Sequence, residues 1–80
     1  MILITKNIFG KIERFTRASR RYRTTLYLYA AIHALSPHSY RVTFCKRGNG
    51  RIFYTKGKFT TEKAAIRAAY AFVELEERLP

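Results

Sequence analysis

Acidic side chains, cysteine, tryptophan and long apolar runs are what this chain has least of. Its 80 residues hold five Asp+Glu, one cysteine and no tryptophan. A lone thiol, Cys45, excludes an intramolecular disulfide and a cysteine zinc cluster, and it fits a reducing, cytoplasmic setting. The longest apolar stretch, residues 26–35, is about half of a membrane span. The opening MILITKNIF has too short an apolar run for a signal peptide and no small-residue cleavage site. Gly48 and Gly50 flank a hairpin turn and open no helix, so no phosphate-cradling glycine loop is present. His33 and His38 have no carboxylate or thiol at metal-ligand spacing, and no histidine is positioned to activate Cys45. Glu74, Glu76 and Glu77 read as a solvated helix end. The expectation is therefore a non-enzymatic protein with no catalytic residue, no metal, no cofactor and no small-molecule substrate.

What is present points to one small domain over residues 1–80. Hydrophobic residues make up 48%, with six Phe and six Tyr, enough for a modest core. A chain of this length buries only about 60–65% of its unfolded surface, which disfavours a deep substrate cavity and favours work done at the surface. Sixteen Lys+Arg give a formal net charge of +11 and a pI near 10.4. Self-repulsion of that size is relieved by a polyanion, nucleic acid first and an anionic membrane face second. Membrane binding is set aside because the basic segment has no apolar side rich in Phe or Leu. Residues 1–58 carry 13 basic and one acidic side chain, whereas residues 59–80 carry three basic and four acidic. The anion-facing surface is accordingly expected before residue 59, with the C-terminal segment as its support.

Residues 1–4 read as a short strand. No Gly or Pro interrupts residues 11–35, and Ile12, Phe15, Ser19, Tyr22, Leu26, Tyr29 and His33 recur at steps of three and four. That spacing predicts a basic helical segment over about 11–35, with Arg14, Arg17 and Arg21 on a second stripe. The Thr24-Thr25 pair and the alternation over 26–29 leave open two shorter helices, or a strand within 22–29. Ser36-Pro37 ends this basic, mainly helical portion, residues 1–36.

Residues 39–79 read as a strand–strand–helix unit. A hairpin over 40–56 is rich in strand formers and turns at Gly48-Asn49-Gly50. A two-residue loop puts Tyr40, Val42 and Phe44 on one face with Phe53 and Phe59. Arg41, Thr43, Cys45 and Arg47 then share the other face with Ile52, Tyr54, Lys56 and Lys58. A helix over 61–78 follows, capped by Thr60 or Thr61. Ala65, Ala68, Ala69, Phe72, Leu75 and Leu79 form its apolar side, and Lys63, Arg67, Glu74 and Arg78 the opposite one. The class is α+β: a small antiparallel sheet packed on a C-terminal helix, preceded by the basic segment.

Two groups of residues carry the candidate function. Arg14, Arg17, Arg20, Arg21 and Arg23 are five arginines in ten residues, with only Glu13 nearby to pair with them. Their planar forks suit bidentate phosphate contacts. The basic hairpin face supplies Arg41, Thr43, Arg47, Tyr54, Lys56 and Lys58, and no Asp or Glu occurs anywhere in residues 14–61.

The junction Gly57-Lys58-Phe59-Thr60-Thr61-Glu62-Lys63-Ala64-Ala65-Ile66-Arg67-Ala68 follows two basic strands. Over residues 40–73 it resembles the ethylene-response-factor type DNA-binding domain of plants and the arm-type DNA-binding domain of tyrosine integrases. The resemblance implies a three-stranded antiparallel sheet on a helix, with the outer sheet face in the major groove. It implies DNA contact by Arg41, Thr43, Arg51, Tyr54 and Lys56. The sequence departs from the plant pattern in having no tryptophan and in offering Tyr70 one position off, and only two strands of the unit are evident.

The sequence thus predicts a nucleic-acid-binding protein, DNA favoured over RNA, with the arginine run as a second clamp on the backbone. It would be cytoplasmic or nucleoid-associated, in transcription regulation or a phage or mobile element. One alternative is a small basic, phage-encoded regulator that binds a host protein, for which the tyrosine-rich stretch 22–29 offers a surface. Another is a metal-independent ribonuclease resembling ribosome-dependent mRNA-interferase toxins, using Arg41, Arg51, Tyr54 and Lys56.

Overall fold

Two short turns fix the register of the two outer strand pairs of the sheet. In the computed structural model, which describes residues 1–7, 9–17, 20–48 and 50–75 (backbone only at Arg20 and Thr24), the elements are β1 (Ile2–Lys6), β2 (Ile12–Phe15), α1 (Arg20–Thr25), β3 (Leu28–Ser36), β4 (Ser39–Gly48), β5 (Arg51–Phe59) and α2 (Glu62–Leu75). The strands form one antiparallel sheet in the order β2-β1-β3-β4-β5. At the first turn the Asn7 side-chain carbonyl accepts from the backbone N–H of Phe9 and of Lys11, each at 2.9 Å. Gly10 there takes a φ of 80° that side chains resist. At the β4–β5 turn Gly48 pairs with Arg51, so two residues make the loop, and Gly50 has a φ of 73°. That is the hairpin and register expected from the sequence, with β4 and β5 longer than the anticipated 40–56.

The α+β class is observed, with α2 against one face of the sheet. Thr61 caps this helix: its Oγ1 accepts from the Ala64 N–H at 3.2 Å. Ala65, Ala69 and Val73 are fully buried beneath it, in one core with Ile4, Leu28, Ala30, Ile32 and Val42. Small residues on both sides at Ala30, Ala65 and Ala69 let helix and sheet approach closely, and Phe72 adds a tilted ring contact to Phe44 at 4.9 Å. The buried face is centred elsewhere than expected. Val73 belongs to it, whereas Leu75 is 80% exposed, because two residues beyond Val73 is about 200° round the helix. Leu79 and Arg78 lie outside the described residues. Among the described residues no helix is long and apolar enough to cross a membrane.

The helix expected over 11–35 does not form. Residues 12–15 are a strand, 20–25 a short helix and 28–36 the central strand. β3 has a neighbour on each edge, and both its faces are covered. Leu28, Ala30 and Ile32 point to the α2 core; Tyr29 and Ala31 point to a second cluster with Leu3 and Cys45. A strand buried on both faces reads as a continuous apolar run, which periodicity does not separate from a buried helix. The three-and-four spacing joined residues of two strands and a turn of helix by coincidence. Residues 1–36 therefore contribute three strands to the same sheet as β4 and β5.

Candidate nucleic-acid interface

The sheet has an inner face toward α2 and an outer face away from it. Directly paired residues on antiparallel neighbours share a face, so the registers give the outer face as rows. One row runs Glu13, Thr5, Tyr29, Cys45, Tyr54 from β2 to β5. The next runs Phe15, Leu3, Ala31, Thr43, Lys56. A third pairs His33 with Arg41 and Arg41 with Lys58. At the hairpin end Arg47 pairs with Ile52.

The β2–β1–β3 part of this surface is covered. Phe15 and Leu26 pack on the Leu3–Tyr29–Ala31–Cys45 cluster, and the Tyr22 ring of α1 meets Phe15 edge-on at 5.5 Å. The β4–β5 part is open. Every residue from 51 to 56 is exposed, as is Lys58, and Arg41, Thr43 and Arg47 are half-buried. Six of the sequence-selected residues, Arg41, Thr43, Arg47, Tyr54, Lys56 and Lys58, thus lie together on one open surface. Arg51 has inner-face parity but sits exposed at the hairpin tip. The Nε atoms of Arg41 and Arg47 are shielded from solvent and have no hydrogen-bond partner among the described residues.

The arginine run does not form the single stripe expected of a helix. Arg14 pairs with Ile4 and so projects on the inner side, away from the basic surface. Arg17 is exposed in the connection after β2, and Arg21 is exposed on α1. Arg23 is half-buried, its Nη1 donating to the Met1 sulfur at 3.6 Å. Arg20 opens α1, and its side chain lies outside the described residues.

Two groups in this surface were not selected from the sequence. His33 has its pKa lowered, first by burial and then by Arg41, Arg23 and the amino terminus, so it stands neutral among cations. Tyr29 is held firmly protonated, chiefly by burial and then by the Cys45 thiol and the Tyr54 hydroxyl that face it. The missing signal was strand parity over 28–36, which puts Tyr29 and His33 beside Cys45 and Arg41.

No family model, curated protein or solved structure matches this chain. The functional reading accordingly rests on the surface itself.

Proposed function

We propose that the outer face of β4 and β5 binds nucleic acid, duplex DNA in preference to RNA, without chemistry. The observation that carries this reading is one surface holding Arg41, Arg47, Lys56 and Lys58 with Thr43 and Tyr54, drawn from a stretch with no carboxylate between residues 14 and 61. Lysine and arginine there displace counterions from phosphates, and guanidinium forks at Arg41 or Arg47 suit guanine edges in a major groove. Tyr54 and Ile52 supply apolar area for sugars or thymine methyls. The order β3–β4–β5–α2 is three antiparallel strands and then a helix, the arrangement that the resemblance to the plant and integrase domains implies; β1 and β2 lie outside that arrangement. Arg17 and Arg21 are the candidates for contacts to the flanking backbone.

A titration of labelled duplex at several salt concentrations tests this, with single-stranded RNA as comparator. Contact with about six phosphates gives a log–log salt slope near −5. A slope near zero overturns the reading. The exposed Ile52, Phe53 and Tyr54, each at least 50% accessible, favour a second reading as a docking site for a host protein; a complex that survives high salt without nucleic acid would select it.

A further inference from the structure

Beyond the hairpin, the outer face of β3, β4 and β5 carries a row of basic side chains. β3 brings His33, β4 brings Arg41 opposite it, and Arg23 of α1 reaches the Met1 sulfur with its Nη1 at 3.6 Å, next to the Ile2–Ile32 pair that precedes His33. Lys58 extends the row from β5. The Nε atoms of Arg23 and Arg41 are both hidden from solvent, with no hydrogen-bond partner among the described residues. The acceptor found by Arg23 is a thioether, the weakest on offer. Two half-buried guanidinium groups flank an imidazole that can donate from both nitrogens once protonated, and no carboxylate shares their row.

We propose that Arg23, His33 and Arg41 form a binding site for a phosphoryl group, and that His33 takes up a proton as the anion arrives. An oxyanion accepts hydrogen bonds from the guanidinium groups of both arginines and replaces their repulsion of the imidazolium with attraction. The groups facing His33 are Arg41 from β4, Arg23 from α1 and the amino terminus beside β1, all cationic, so the anion reverses the sign of its surroundings. Where the phosphoryl group is a phosphodiester of bound duplex, the inference rests on the proposed function; a free phosphate ester would use the same site independently of it.

The test is an NMR pH titration of the His33 imidazole in the intact wild-type protein. Three samples are compared: inorganic phosphate, chloride at the same ionic strength, and a short duplex. The His33→Gln variant assigns the imidazole signals, separating His33 from His38 in the β3–β4 turn. An opposite charge at contact distance moves a titration by about one unit or more, so phosphate or duplex should raise the His33 midpoint by about that much over chloride. A shift with phosphate alone supports the site and assigns it to free phosphoryl ligands. A shift with the duplex supports it with the backbone as source. If neither moves His33 beyond chloride, the inference is overturned, even where the duplex binds and the proposed function stands.

Discussion

Neutralising two lysines on the open face should weaken nucleic-acid binding far more than neutralising two cations elsewhere. The informative pair is Lys56→Gln with Lys58→Gln, both exposed on β5 and opposite Thr43 and Arg41. The control is Arg14→Gln with Lys63→Gln, on the inner side of the edge strand β2 and on the exposed side of α2. Each pair removes two charges from the same net +11, so overall charge is matched and only the face differs. A lost phosphate contact removes about 0.9 from the salt slope, which between a 1 M reference and ~0.15 M salt is about a 5-fold loss of affinity, or about 30-fold for two. The face pair should show this loss and a slope shallower by about 1.8; the control pair should keep the wild-type slope. Folding is not the cause of any loss, because removing Lys58 relieves a like-charge pair with Arg41 and surface substitutions of this kind stay within about 0.5 kcal/mol. Fluorescence anisotropy over a salt series reads both numbers. Equal losses in the two pairs, or an unchanged slope in the face pair, would refute the assignment of the surface.

Three further expectations concern the fold. Thr61→Ala removes the cap accepted by Ala64 and should cost about 1 kcal/mol, lowering Tm by roughly 4–8 °C in a domain of this size; an unchanged melt would show that the cap is idle. Leu28→Ala, at a fully buried site on the central strand, should cost about 2–5 kcal/mol, whereas Leu75→Ala should change stability by less than about 0.5 kcal/mol, the reverse of what a helix face through Leu75 requires. His33 has a folded-state pKa below its ordinary 6.5, so below that pH the unfolded chain binds the extra proton. Stability should therefore fall as pH drops from 6.5 toward the lower folded value and be indifferent to His33 above it. Urea denaturation between pH 5 and 8, with His33→Gln lacking this component, checks the sign.

The hairpin was legible because its cues are local. Gly48-Asn49-Gly50 fixes the loop, and once the loop has two residues, parity assigns every side chain on both strands to a face. The C-terminal helix was legible from Thr61, Glu62 and the alanines, though its buried line had to be read from contacts: Val73 and Leu75 are equally apolar, and only the position of the sheet separates them. Residues 11–35 were legible only in part, the Thr24-Thr25 pair and the alternation over 26–29 leaving open a strand where β3 begins at Leu28, and the rest was hidden for a nonlocal reason. Ala30 and Ala31 favour helix, and nothing local reveals that Leu28–Ile32 will be sandwiched between α2 on one side and the Leu3–Cys45 cluster on the other. The first hairpin did leave a signal in Asn7 and Gly10, a side-chain-capped turn that was not read as one. Of the candidate site, the β4–β5 half followed from parity, while His33 meets Arg41 only through the β3–β4 pairing.

Cations on an outermost strand have a simpler explanation than binding, and the two accounts must be separated residue by residue. β5 is an edge strand, and lysines on an edge discourage pairing with other chains. That accounts for Lys56 and Lys58. It does not account for Arg41 and Arg47, which lie on β4 with a neighbour on each side, where no edge needs guarding. Nor does it account for their being half-buried, since protecting an edge requires hydrated charge. Lysines at the rim with partly desolvated arginines behind them is the arrangement expected where an anion is drawn in by the first and held by the second. The contribution of Arg41 and Arg47, more than that of the lysines, therefore decides between a guarded edge and a binding face.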